Sequence, residues 1–371
     1  MPLSRRNFLG TLALSTAAVT FRNPLEAAQR AAAPTPPPRP GGEILLNSNE
    51  NPYGPFPGAM ASLRESLEYS NRYPWIQYDD FVEHVAWYHG VQEKQILLGC
   101  GSSEILRMSV DAFCGRDRKL LVAHPTFELC EHYARRIGVP VVEVPLTREW
   151  AHDVEAMVAK ADEHTGLVYI CNPNNPTASL TPRADLDALL SKLPPHVHVL
   201  MDEAYHHFVE SPQYRSYLEK APDNPRVMVA RTFSKVYGMA GLRLGYVVAA
   251  PAMIEQLERV QLPDNVNMLV LACALEALDD GKALEAAVQR NERDRAEFLK
   301  QAQQRKLACV PPQANFVMMH AQRPCREVIA HCKKHNVLIG RPFPPMDDYV
   351  RISLGLPEEM QRFWGVWDQM S

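Results

Sequence analysis

The feature that most constrains this chain is a repeated alternation. From Gln95 onward, short runs of apolar and β-branched residues at 96–98, 119–123, 139–144, 167–171, 197–201, 227–231 and 244–249 are separated by segments in which apolar positions recur with helical spacing. Apolar runs of that length read as strands covered on both faces. Strands that alternate with helices build a mostly parallel sheet with helices packed on either side. After Pro251 the pattern turns helical, with a long charged helix around 284–305. A segment at 315–319, a helix at 326–335, short strands near 337–339 and 349–353 and a last helix after Pro357 complete a smaller α/β unit. A length of 371 residues suits that division. The expected fold class is therefore α/β, with a large domain at 66–275 and a small domain at 276–371. No internal repeat is visible.

The first 65 residues read differently. Ser4-Arg5-Arg6-Asn7-Phe8-Leu9-Gly10 is a positive opening, an uncharged stretch runs on to Phe21, and small residues follow at Ala27, Ala28 and Ala31 to Ala33. Paired arginines ahead of Phe-Leu match the twin-arginine export pattern. An apolar stretch below about 18 residues is short for a bilayer, so no stable membrane span is expected. The targeting region is set at 1–33 without a clean cleavage site; it implies a periplasmic or exported bacterial protein, or a cytoplasmic one where the signal is not used. Pro34, Pro36, Pro37, Pro38 and Pro40 make 34–41 a stiff extended linker. The arm at 42–65 contains Asn49-Glu50-Asn51-Pro52-Tyr53-Gly54-Pro55, which has little helix propensity and is expected to run extended along a surface.

Composition narrows the chemistry. With 39 basic against 43 acidic residues, nothing draws the whole molecule to nucleic acid or anionic lipid. A 46% hydrophobic, 22% charged chain is neither disordered nor fibrous. The eight cysteines are scattered with no Cys-x-x-Cys pair, and read as buried thiols, not zinc ligands. His331 and His335 lie four apart on an expected helix, but no acidic or third imidazole neighbour completes a set, and no metal is assigned.

Four segments remain, each following an expected strand, at the end where ligands sit in an open α/β sheet. The first is Gly99-Cys100-Gly101-Ser102-Ser103-Glu104. Glu104 stands where a dinucleotide fingerprint needs its third glycine, and no Gly-Lys-Ser or Gly-Lys-Thr loop occurs, which removes nicotinamide and ATP sites. Small residues opening a helix still offer backbone N–H groups to a phosphate, with a plain Ser N-cap as the simpler alternative. The second is Cys171-Asn172-Pro173-Asn174-Asn175-Pro176-Thr177, whose two prolines fix a turn from which Asn175 can donate into a cleft; a structural turn is the alternative. In the third, Asp202-Glu203-Ala204-Tyr205, a carboxylate ending a buried strand needs a cation or a protonated heterocycle, and Tyr205 offers a phenol to the same ligand. In the fourth, Thr232-Phe233-Ser234-Lys235 with Arg243 beyond it, a lysine desolvated beside other cations becomes a carbonyl nucleophile. Together these supply a nucleophilic lysine, a carboxylate for a pyridinium nitrogen, donors for a ring oxygen and a phosphate cradle, the parts pyridoxal 5′-phosphate requires.

With the arm motif and Tyr349-Val350-Arg351-Ile352-Ser353, these segments resemble, in order and spacing, the histidinol-phosphate aminotransferase branch of the class II, fold-type I pyridoxal-phosphate aminotransferases over about residues 42–371. The resemblance implies a three-layer large domain, a smaller α/β C-terminal domain and bound pyridoxal 5′-phosphate. Lys235 would carry the cofactor and shuttle the proton between Cα and C4′. Asp202 would keep the pyridine nitrogen protonated, while Tyr205 and Asn175 would bond the ring oxygen. Phe127 takes the place of the ring-stacking aromatic, where many relatives carry Tyr. Gly101, Ser102, Ser103, Thr232, Ser234 and Arg243 would hold the phosphate, joined by Tyr53 of the neighbouring subunit in a homodimer with shared sites. Arg351 would clamp the substrate's anionic group through a bidentate contact, with Arg341 as a second anion contact and Asn49 and Asn175 beside the substrate.

The implied activity is a ping-pong exchange of an amino group between a small-molecule amino donor and a 2-oxo acid such as 2-oxoglutarate, with histidinol phosphate or a related amine as donor. An export signal suits that biosynthetic donor poorly. Tyr53, Phe56, Phe343 and Tyr349 equally suit a pocket for an aromatic amino acid. An aromatic amino acid aminotransferase, a decarboxylase or lyase on the same scaffold, and a silent binding protein are the alternatives; Lys235 argues against the last.

Overall fold

The computed structural model describes residues 42–370, so the expected signal at 1–33 and linker at 34–41 lie outside the described residues. The strands are β1 (Ile44–Leu46), β2 (Ile96–Gly99), β3 (Lys119–His124), β4 (Val141–Pro145), β5 (Thr165–Cys171), β6 (His198–Asp202), β7 (Val227–Thr232), β8 (Gly245–Val248), β9 (Phe316–His320), β10 (Val337–Ile339) and β11 (Tyr349–Ser353). Seven of them form one sheet in the order β2-β8-β7-β6-β5-β3-β4. All run parallel except β8, which is antiparallel to both of its neighbours.

Side chains alternate between two cores. Leu121, Val168, Val199 and Val229 face one helical layer, while Leu120, Leu167, Leu200 and Met228 face the other. That is the period of two a strand imposes, and it explains why each run is apolar throughout. The remaining strands belong to a smaller unit, with β9 antiparallel to β11 and β1 parallel to β10. Its core joins Val317 and Ile352 to Phe298, Phe363 and Trp364 from the helices Gly281–Gln304 and Pro357–Trp367. Asp280 caps the first of these by accepting a hydrogen bond from Ala283 N at 2.9 Å.

Two expectations change here. The arm does not lie along a surface: Ile44, Leu46 and Asn49 are 7%, 0% and 2% exposed, and β1 adds a strand beside β10. A three-residue apolar run gives a weak pattern, and tertiary burial outweighs the turn residues that follow it. The cysteines are unpaired, and most are shielded as expected, but Cys100 is exposed just ahead of the helix Ser102–Phe113. His331 and His335 bond the backbone carbonyls of Val366 and His331, which gives both imidazoles structural roles. No helix among the described residues is long and apolar enough to cross a membrane.

Candidate active site

A cleft of about 390 Å³ opens at the carboxyl ends of β5, β6 and β7, bordered by arm residues Asn47 to Glu50 and by Arg341, Phe343 and Arg351 from the smaller unit. At one end sits the helix Ser102–Phe113. No side chain caps it, so the expected Ser cap does not form; Glu104 instead accepts from Cys100 N and from Asn265 Nδ2, each at 2.7 Å. The first-turn N–H groups and the positive end of the helix dipole therefore face the cleft. Gly101 has φ 74°, and the Arg243 guanidinium passes through the space a Cβ would fill. Arg243 donates to Ala240 O at 2.9 Å and to Ser103 Oγ at 3.4 Å, while Thr232 Oγ1 donates to Ser234 Oγ at 2.9 Å. Ser102, Ser103, Thr232, Ser234 and Arg243 thus line one end of the cleft, with Gly101 packed against the Arg243 guanidinium.

In the centre, Asp202 ends β6 almost wholly buried. Its carboxylate accepts from Tyr169 Oη at 2.8 Å and from Ala204 N at 3.1 Å, and it has no ion-pair partner among the described residues. Burial raises its pKa to about 6 despite those donors. Lys235 Nζ donates to Asn49 O at 3.1 Å and lies 5.5 Å from the centre of the Tyr205 ring. Burial and then the nearby Arg351 charge hold its pKa down to about 8, which favours the free amine a carbonyl nucleophile needs. Tyr205 Oη accepts from Asn49 Nδ2 at 3.1 Å, and burial raises its phenol pKa. Asn49 has a left-handed backbone, φ 54°, that aims its carbonyl at the lysine and its amide at the phenol. A short polar side chain tolerates that region.

The loop after β5 divides its asparagines by task. Asn172 bonds the backbone of Thr181 in both directions, at 3.0 and 2.9 Å. Asn174 donates to Pro125 O at 3.0 Å and accepts from Thr126 Oγ1 at 2.7 Å, which ties the loop to the segment bearing Phe127. Asn175 is left to line the cleft, where its Oδ1 accepts from Arg351 Nη1 at 2.6 Å and its Nδ2 remains a donor. Arg351, on β11, also donates to Asn47 O at 2.6 Å; its Nε has no partner, and burial lowers its pKa to about 10. Gly340 makes this possible, since a Cβ there would sit 2.7 Å from Arg351 O and 3.0 Å from its Cβ.

Phe127 and Arg341 line the cleft as well. Tyr53 does not: its hydroxyl donates to Asp294 at 3.1 Å and Arg290 lies over its ring, in a separate small cavity. Sequence reasoning missed Tyr169, Asn47 and Glu128. A tyrosine inside a fully buried strand was a readable signal, because its hydroxyl must find a partner. Asn47 acts through its backbone and Glu128 through a distant arginine, and neither leaves a mark in local pattern.

The donor set fits pyridoxal 5′-phosphate: a helix end, hydroxyls and a guanidinium for the phosphate, a buried carboxylate with no ion-pair partner among the described residues for the ring nitrogen, and a lysine of lowered pKa between them. When bound, the cofactor supplies an electron-withdrawing ring that stabilises negative charge at the substrate's α-carbon. The chain's own residues orient and titrate. With the cofactor in the cleft, Asp202 would place a negative charge opposite the ring nitrogen, Tyr205 and Asn175 would offer hydrogen bonds to the ring oxygen, Phe127 would lie against a ring face, and the Lys235 amine would accept and return the α-proton. Arg351, with its Nε unpartnered, would be placed to hold an anionic group of the substrate. The class that this fold and site define is the fold-type I pyridoxal-phosphate-dependent transaminase.

Residues 42–364 match the family described as aminotransferase class I and II, and the chain belongs to it. It is 36% identical over 323 residues to the histidinol-phosphate aminotransferase of Moorella thermoacetica, covering 86% of this chain and 83% of that one. The Symbiobacterium thermophilum enzyme of the same name is 36% identical over 322 residues, with 86% and 88% covered. Among solved structures, a candidate histidinol-phosphate aminotransferase from Erwinia carotovora atroseptica superposes with a TM-score of 0.86 at 33% identity, over 89% of this chain and 96% of that one. The Sinorhizobium meliloti histidinol-phosphate aminotransferase in complex with pyridoxal 5′-phosphate shares the fold, with a TM-score of 0.83 at 23% identity over 95% and 96% of the two chains.

Proposed function

We propose that this transaminase takes its amino group from histidinol phosphate or a closely related amine and passes it to a 2-oxo acid such as 2-oxoglutarate. The observation that carries the reading is Arg351, a buried guanidinium facing the cleft with an unsatisfied Nε and no carboxylate partner among the described residues. An uncompensated buried cation is costly to maintain unless an anion arrives. The names of the relatives support the donor. Steady-state rates with histidinol phosphate, phenylalanine and tyrosine test it, and a clear preference for the aromatic acids overturns it. A second reading, an aromatic amino acid aminotransferase, draws on the Phe343 ring 4.7 Å from Arg351 and on Trp150 and Tyr349, which pack against the cluster that contains Phe343.

In the same reading the enzyme is a homodimer in which Tyr53 reaches the neighbouring cofactor phosphate. Large apolar side chains left exposed, among them Tyr73 at 67% stacked on Trp75 at 66%, and Trp87 at 65%, support association. The dimer requires Tyr53 to exchange Asp294 for the partner's phosphate. A single-chain mass for the holoenzyme by sedimentation would refute the dimer. Export through Arg5-Arg6 belongs to the same proposal, and is tested by fusing residues 1–33 to a reporter with and without lysines at both arginines.

A further inference from the structure

The arginine that the resemblance makes a second anion contact is not free in the cleft: it is held by a carboxylate. Glu128 follows Phe127 in the loop beyond β3, Arg341 follows β10, and the two form an ion pair at the mouth of the cleft that both line. Their side chains are 28% and 51% exposed. Arg341 Nη1 also donates to Pro342 O at 2.8 Å. The Phe343 ring ties this pair to the anion clamp, with the Arg341 guanidinium 4.2 Å and the Arg351 guanidinium 4.7 Å from its centre. A substrate anchored on Arg351 therefore has its far end within reach of Arg341.

A ping-pong enzyme presents this one surface to two partners in turn. An unpaired Arg341 attracts any second anion and repels a distal cation. Paired with Glu128, the outer region is close to neutral, so a neutral or cationic end is tolerated. A second anion must compete with Glu128, and for a half-exposed pair that competition costs no more than about fivefold in affinity. Dual acceptance follows from an exchangeable pair where a fixed charge would select only one partner.

We propose that Glu128 is a specificity-determining residue of this transaminase: by holding Arg341 when no second anion is bound, and yielding it to one, it sets the balance between substrates with one and with two anionic groups. The proposal rests on the anion-clamp reading of Arg351. Calorimetric titration of the holoenzyme with glutarate and with butyrate tests it in the unsubstituted protein, Glu128→Gln, Arg341→Gln and the double variant, with thermal unfolding as the check that each is folded. Glu128→Gln is expected to raise the ratio of glutarate to butyrate affinity by about two- to fivefold, and Arg341→Gln to lower it below that of the unsubstituted protein. In the Arg341→Gln background the Glu128→Gln effect should vanish, because Glu128 acts through that guanidinium. The KM ratio of pyruvate to 2-oxoglutarate should move with the affinities.

A ratio unchanged by Glu128→Gln overturns the proposal. So does an effect that persists without Arg341, which would show long-range repulsion. If the unsubstituted protein binds butyrate but glutarate no better, Arg341 has no distal role and the proposal fails alone. If neither acid binds, the Arg351 clamp fails and takes the proposal with it.

Discussion

Asp202 should make the cofactor-free protein less stable than it could be, and Asp202→Asn exposes that cost. Burial raises its carboxyl from 3.8 to about 6. A carboxyl whose folded-state pKa lies above its unfolded value contributes stability that is complete below pH 3.8 and is lost as pH rises through about 6. At neutral pH and above, a shift of about two units at 1.36 kcal/mol each makes the buried charge cost about 3 kcal/mol. Asparagine has nearly the same shape and leaves Tyr169 and Ala204 an oxygen to donate to, while its own buried amide takes back part of the gain. The cofactor-stripped Asp202→Asn protein should therefore be more stable than the cofactor-stripped parent by about 1–3 kcal/mol at pH 8, and the gap should close toward pH 4.5.

Urea unfolding of both stripped proteins at pH 4.5, 6 and 8 measures this. The order should reverse on adding pyridoxal 5′-phosphate, because only the carboxylate gains a cationic partner. The loaded variant should lose about 100- to 1000-fold in kcat, the scale of removing one member of a buried charge pair. A stripped variant no more stable than its parent at pH 8, or a gap that does not depend on pH, would refute the claim that Asp202 is held ionised at the expense of the fold.

Lys235→Ala should abolish turnover together with the visible absorbance of the lysine-bound cofactor; a variant that still transaminates at the parental rate excludes Lys235 as the nucleophile. Because burial lowers the Lys235 amine from 10.5 to about 8, the rate of cofactor attachment to stripped enzyme should climb about tenfold per unit below pH 8 and level off above it. A midpoint near 10.5 would mean the amine is solvated. Arg351→Lys keeps the charge but loses the fork and its bonds to Asn175 and Asn47, and should raise KM for the 2-oxo acid at least about tenfold. Gly340→Ala, whose Cβ would press on Arg351, should raise the same KM, and any retreat of the guanidinium from Lys235 should move the pH of half-maximal cofactor attachment upward.

The large sheet was legible because its strands are apolar on both faces, which only a covered parallel sheet explains, and every expected strand of it formed within a few residues. The site was legible where chemistry is tied to strand ends: Asp202, Asn175, Lys235 and Gly101 each follow a run that names its own end. What sequence could not show is how the pieces are tuned. Nothing near Lys235 states that its depressed pKa comes from burial beneath the arm and from Arg351, which lies far along the chain on a separate two-stranded sheet. Nothing near Asn49 states that one left-handed residue sends its carbonyl to the lysine and its amide to Tyr205. Both depend on β1 docking beside β10, a contact made by three apolar residues whose pattern is too short to read. The catalytic types are written locally, while their ionisation is set by packing between segments hundreds of residues apart. A substitution that loosens β1, such as Leu46→Ala, should therefore move the Lys235 titration upward without touching any residue that meets the substrate, because water reaching the amine removes the desolvation that lowers it.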